Sequence, residues 1–291
     1  MTARQYNRLC RLVLTKPTGF FTVGGLATGG NQVTISALRT AFSIEKDLAS
    51  TPNNCEVTIF NLNADDRAQF QKSPLQVRLE VGYDTDDDLQ RLFTGDLRHG
   101  ISRLEGTEWQ TKMALGDGER AYRHARTNKS YAAGTQVNQI MRDMARGMGL
   151  DLPANGPQVT GQVAGGVSLH GPTRRGLDTM LRPRGMHWSI QDGRLQLLKY
   201  GTGQGSTRPE EAIVLDQETG LIGSPDFGPP EKESKSPTLT FRSTLNPRLV
   251  PGGKVALRSR AITGQFKVIK VKHVGDTRGG DWYSECEAKL K

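Results

Sequence analysis

The sequence is short of cysteine, of aromatic side chains and of long apolar runs, and each shortage closes a class of reading. Cys10, Cys55 and Cys286 are the three cysteines in 291 residues, too few and too far apart for a disulfide framework or a CxxC metal site. Each falls in a strand-like run, where a small core residue is the expected role. No apolar run approaches the roughly 18 residues of a membrane span, and with 35% hydrophobic residues and a mean hydropathy of −0.53 a soluble chain is expected. Arg8 and Arg11 break the apolar part of the basic N-terminal stretch, so there is no secretory h-region. The protein is expected to stay in the cell that makes it, unless it leaves within an assembly.

Catalytic signatures are missing as well. His99, His124, His170, His187 and His273 are scattered singly, with no HExxH, no paired metal spacing and no GxSxG elbow. His273 before Val274-Gly275-Asp276 could serve as a base, but an imidazole tying a strand end to backbone groups is the expected role. Gly24, Gly25, Gly29 and Gly30 do not make GxGxxG, and no GK[ST] follows the Gly/Ser/Thr-rich connector 201–209, so neither is a phosphate loop. Asp84, Asp86 and Asp88 have the spacing of the first three ligands of an EF-hand loop. The rest of that pattern fails, with Leu89 where glycine is needed and Gly95 where the bidentate glutamate belongs. A metal-free acidic hairpin tip is expected. No catalytic, cofactor-binding or metal residue is therefore nominated, and no cofactor.

Charge is present but unevenly placed. Residues 1–100 balance at 11 basic against 11 acidic, 101–205 carry 14 against 8, and 206–291 carry 14 against 11, for a net +9. The excess in the middle could meet phosphates or an acidic protein partner, and by itself has no base-reading signature.

What the chain does have is strands. In 39–62, Phe42 and Ile44 alternate with polar neighbours, as do Val57 and Ile59 across a loop marked by Pro52, Asn53 and Asn54. This is the period of half-buried strands. Further strands are expected at 9–15, 75–83, 92–96, 97–104 and 109–115, with a short helix from Asn63 to Gln71, Asn63 capping it and Asp65 and Asp66 suiting its N-terminus. From Gly118 the pattern changes. Val137, Ile140, Met141, Met144, Ala145 and Met148 follow helical spacing over 135–148, with Thr135 as cap, Gly149 as stop and the methionine stripe expected in a core. A second helix is expected at 173–181. Asp192-Gly193 between 186–191 and 194–199 predicts a type I′ hairpin. A strand at 212–216 is expected to complete this middle sheet. Strands return at 221–224, 238–243, 254–258, 264–274 and 282–290. In 264–274 the inward phase slips between Val268 and Ile269, which predicts a β-bulge or a strand covered on both faces.

The stretches FSIEKDLASTPNNCEVTIFNL, VRLEVGYDTDDDLQRLFTGDL, GLIGSPDF, STLNPRLVPGGKVAL and FKVIKVKHVGDTRGGDWYSECEA resemble the baseplate or tail hub proteins of tailed bacteriophages, over roughly two thirds of the chain. The resemblance implies a mainly β fold: two tube-like antiparallel β-barrel domains, 1–118 and 220–291, with an α+β domain at 119–219 between them. It implies a non-enzymatic virion structural protein, assembled in the host cytoplasm. Three copies would make a pseudo-sixfold ring around the DNA ejection channel, with the tail tube or its initiator above, a trimeric spike or tip protein below and wedge or arm baseplate proteins outside. DNA would meet it only in transit. A basic nucleic-acid-binding protein and a tail-associated cell-wall hydrolase are the alternatives.

Overall fold

Alternating apolar side chains build a β-rich unit that the chain leaves twice, briefly at 48–52 and for the long segment 118–210, and re-enters each time. The computed structural model describes residues 7–17, 22–23, 26–27, 30–71, 74–84, 89–152, 159–199, 212–228 and 237–290. Two compact units result, one of Met1–Asp47, Asn53–Asp117 and Glu211–Lys291, the other of Leu48–Pro52 and Gly118–Glu210. The first opens with β1 (Arg8–Thr15), β2 (Thr22–Val23), β3 (Leu26–Ala27), β4 (Gln32–Ile35), β5 (Thr40–Asp47), β6 (Asn54–Phe60), α1 (Ala64–Phe70), β7 (Gln76–Tyr83), β8 (Gln90–Glu105) and β9 (Glu108–Gly116). The second unit holds α2 (Glu119–His124), β10 (Arg126–Tyr131), α3 (Val137–Gly147), β11 (Val167–Pro172), α4 (Thr173–Leu181), β12 (Met186–Gln191) and β13 (Arg194–Lys199). The chain then returns with β14 (Ile213–Leu215), β15 (Leu221–Phe227), β16 (Leu239–Thr244), β17 (Lys254–Arg258), β18 (Thr263–Asp276) and β19 (Trp282–Leu290).

The first unit is built on one 13-stranded sheet in the order β15-β16-β19-β18-β5-β6-β9-β8-β7-β1-β4, with β17 paired to β18 and β14 to β17, while β2 and β3 make a separate two-stranded sheet. Where two separately closed barrels were expected, the described strands form a single open path ending at β15 and β4. The two ends of the chain nevertheless keep their own apolar cores. One gathers Leu12, Ile44, Val57, Leu79, Phe93 and Leu115; the other gathers Phe241, Val255, Phe266, Val271 and Cys286.

Within the path lies an internal repeat. β5 to β9 and β15 to β19 follow the same chain order and the same antiparallel pairings: first with second, second with fifth, fifth with fourth, fourth with third. The bulges coincide too. β8 carries an extra residue at Arg98, two past Asp96, its last partner of β7. β18 carries one at Ile269, two past Lys267, its last partner of β17. The phase slip expected in 264–274 is thus this bulge, which lets a strand bend and change neighbours. For the same reason 92–96 and 97–104 are one strand rather than two.

Local chemistry explains most boundaries. Asn63 Oδ1 accepts from the Asp66 N–H at 2.8 Å and caps α1. Helix α3 ends in a Schellman motif, Gly149 (φ 68) donating to Arg146 O and Leu150 to Ala145 O. Its start differs from expectation. Gln136 is the cap position, without a side-chain bond, and Thr135, one residue earlier, donates its hydroxyl to Ala132 O at 2.8 Å. Asp192 and Gly193 both have positive φ (53 and 77), as a type I′ turn requires. The expected strand at 212–216 leaves the middle sheet: β14 pairs in parallel with β17, because Leu215 fills the C-terminal core. The ribbon of β10 and β11 was not anticipated, since its strands lie far apart in sequence with α3 between them. Asp84 is described, whereas 85–88, and with them the rest of the acidic tip, lie outside the described residues, as do 201–209.

Candidate interaction surface

The polar face of the continuous sheet is built by residues that alternate with the core. Across four strands Arg242, Glu285, Lys272 and Glu45 stand side by side in register. The next row holds Glu287, Lys270 and Asp47. Signs alternate along each row, with Arg242 Nη2 3.3 Å from Glu285 Oε1 and Lys272 Nζ 3.8 Å from Glu45 Oε1. Exposed pairs of this kind contribute only about 0–1 kcal/mol each. Their consequence is a hydrated face of near-balanced charge, with four acids against three bases, crossing the junction of the chain's two ends.

That junction is β18 against β5, seven residue pairs from Lys270↔Asp47 to Asp276↔Ala41, and a clasp closes it. Arg39 donates Nε to Asp276 Oδ1 at 3.2 Å and Nη2 to Oδ2 at 2.8 Å. Arg8 Nη1 donates to Gly279 O at 2.7 Å, and its guanidinium lies over the Trp282 ring. Trp282 comes from the C-terminal repeat yet is buried in the N-terminal core, edge-on to Phe42 at 5.6 Å. Gly275 faces Phe42, and a Cβ there would sit 2.3 Å from the ring. Only glycine allows this approach. Burial pushes the Asp276 carboxyl upward, but the Arg39 hydrogen bonds and charge and the Arg278 and Gly279 N–H groups outweigh it and hold it below the usual range.

No protein-family model and no curated protein matches the sequence. Solved structures do match the fold. A tail protein from Neisseria meningitidis superposes with a TM-score of 0.62 at 12% identity, covering 98% of this chain and 97% of that one. The 43 kDa tail protein of prophage MuSo2 from Shewanella oneidensis gives 0.63 at 10%, covering 96% of each. The E. coli c3393 protein, a type VI secretion component described as similar to the T4 tail proteins gp27 and gp5, gives 0.54 at 11%, over 87% of this chain and 73% of that one. This chain has the phage tail-protein fold.

Within that fold the second unit is the basic one. Its residues 118–199 carry 12 basic against 5 acidic side chains, and three of the five acids are engaged locally: Glu119 with Arg123, Asp143 with Lys129, Asp178 with Arg182. Its core takes up the methionine stripe, with Met141 and Met144 packed beside Leu177, Trp188 and Leu197. Ser50 Oγ donates to Trp188 O at 2.6 Å, fastening the loop 48–52 to this unit.

The five histidines are not brought together. His99, His124 and His170 are exposed on β8, α2 and β11, and His187 is half-buried on β12. His273 is buried in mid-strand, its Nδ1 2.8 Å from Ser284 Oγ on β19. It therefore ties two strands through a hydroxyl, from within a strand and not at its end. Among the described residues no group of three or more His, Cys, Asp or Glu is placed to hold a metal ion, and no helix is long and apolar enough to cross a membrane. A groove of about 270 Å³ follows the polar face beside the Arg98 bulge, lined in part by Glu56, His99, Ile101, Arg103 and Lys112. Sequence reasoning missed Lys46, which alternation places on the inner face of β5. It is buried, and its Nζ donates to the carbonyl of Leu92 at 2.7 Å. Leu92 is the extra residue where β8 shifts register against β7, so the cation serves a bulge that no local pattern announces.

Proposed function

We propose that this protein is a non-enzymatic baseplate hub of a tailed phage, a trimeric pseudo-sixfold ring joining the tail tube to the spike. The internal repeat carries this reading. Two units of identical strand connectivity, fused edge to edge in one chain, supply two of six positions around a ring, and three chains supply all six. On this reading the segments 1–118 and 220–291 are tube-type β-domains whose barrel wall is completed by neighbours, and 119–219 is the α+β domain. The polar face with alternating charge lines the channel. Near-neutral charge suits passage, because a strongly basic lining would hold DNA by counterion release. A trimeric spike protein lies below, the tube or its initiator above, and wedge or arm proteins meet the outside in the virion.

The native mass of the purified chain, alone and with its spike partner, tests this. A trimer, or a three-to-three complex with the spike, is expected; a stable dimer under all conditions would refute it, since two chains cannot supply six tube-type units. DNA retention should be weak and vanish at moderate salt, and peptidoglycan should release nothing. Sequence-selective binding that survives high salt, or released muropeptides, would count against a structural role.

A further inference from the structure

The junction that joins β18 to β5 has no equivalent at the corresponding edges elsewhere among the described residues. The coincident bulges align the repeats, so His99, Ile101, Arg103 and Glu105 on β8 stand where Lys270, Lys272, Val274 and Asp276 stand on β18. On β18 that edge is covered by β5. On β8 the pairing with β7 stops at Asp96, and no described strand takes the edge beyond Arg98. In the other repeat β15, the counterpart of β5, ends the path with its outer edge unpaired among the described residues. These two edges are also where apolar surface is exposed. Ile101 (45%) and Leu104 (57%) lie on one, Ile222 (42%) and Phe227 (42%) on the other, four of the seven exposed large hydrophobics described. A bare strand edge with apolar side chains is a template for another strand.

We propose that β15 of one copy of this chain pairs antiparallel with the free edge of β8 in the next copy, repeating between chains the β5–β18 junction found within one. The register follows from the repeat. Asp226 faces Thr240 as Ser43 faces Glu56, and Ser43 faces Val274, so Asp226 of one copy comes opposite Arg103 of the next. Opposite charges directly across an antiparallel pair are favourable. Pro225 has no N–H to give, so the ladder is carried by the residues on either side of it. The contact is head to tail, as a ring needs, and the proposal rests on the hub reading for closure at three.

The test uses the full chain with Arg103→Cys and Asp226→Cys together. Antiparallel neighbours lie about 4.5–5.5 Å apart between Cα atoms, within disulfide range, and the native cysteines are buried. Mild oxidation should give a covalent ladder ending at three chains, while either single variant gives at most a dimer. In parallel, R103E should weaken assembly about tenfold at low salt, as a repulsive pair replaces an attractive one, and adding D226K should restore it. A trimeric native mass with no more cross-linking in the double variant than in the singles would overturn the edge assignment and leave the hub reading standing. Open chains or dimers linked through the engineered disulfide would uphold the edge pairing and sink the ring of three. Neither cross-linking nor assembly at the highest attainable concentration would overturn the edge pairing outright.

Discussion

The two repeats share strand order, pairing and bulge position, yet the side chains along their fourth strands differ in a consistent way. On β18, whose edge is covered, the inner positions hold His273 and Gly275, one hydrogen-bonded to Ser284 and the other making room for Phe42. At the corresponding places β8 holds Ser102 and Leu104, the latter 57% exposed. On the polar side Lys272 answers Glu45 across the junction, while its counterpart Ile101 faces solvent. Connectivity alone therefore does not decide what an edge does. The residues that accept a neighbouring strand, small where a ring must enter and charged where a charge must be met, distinguish a finished junction from an open one.

This contrast can be broken first at its tightest point. Gly275→Ala should destabilise the chain by about 1–3 kcal/mol through overpacking against Phe42, seen as a fall in the urea midpoint at unchanged m value, whereas Leu104→Ala on β8 should leave the isolated chain within about 0.5 kcal/mol. Equal effects at both sites would mean that the junction is not what separates the repeats.

The clasp comes next. Arg39→Ala should cost about 1–2 kcal/mol, reduced from the full value of a charged hydrogen bond because Arg39 is 34% exposed. Since Asp276 titrates below its ordinary value when folded, its contribution is fully present above the unfolded carboxyl pKa and fades as pH falls through the folded one. Acid titration of stability should be shallower at the acid end in Asp276→Asn than in the parent, and an unchanged curve would dismiss the clasp.

Ser284→Ala, which removes the partner of a buried imidazole, should cost about 1 kcal/mol by the same denaturation measurement, while Ser102→Ala, at the half-buried position that corresponds to His273, should cost less. Smallest of all is the charged row. Arg242→Ala and Lys272→Ala together should change stability by less than about 1 kcal/mol, and the change should shrink further in high salt; a large, salt-independent loss would show that these pairs are structural and not merely a hydrated face.

Much of this was readable in advance. Alternation at Phe42 and Ile44, at Val57 and Ile59, and along β19 located the strands, since a half-buried strand must place apolar residues at every second position. The Asn63 cap, the Gly149 stop and the Asp192-Gly193 turn are contacts within a few residues, so their chemistry is written locally. Even the bulge at Ile269 showed as a break in phase. The destination of β14 was not readable, nor was the burial of Lys46, because parallel pairing with β17 and a carbonyl exposed by a bulge on β8 both depend on residues tens of positions away.

By itself, then, the sequence determined most of the strands and helices, which face of each is apolar and where the basic excess lies. All of these follow from periodicity, from the conformational limits of Gly, Pro, Asn and Asp, and from composition. Only the tertiary structure decided that the two ends of the chain share one sheet, that Trp282 and Arg8 cross between them, and that, among the described residues, β8 and β15 are left as matching open edges. The physical reason is that strand pairing uses the same backbone groups in every strand. Neighbours are selected by long-range fit, such as the space Gly275 leaves for Phe42, and not by any local code.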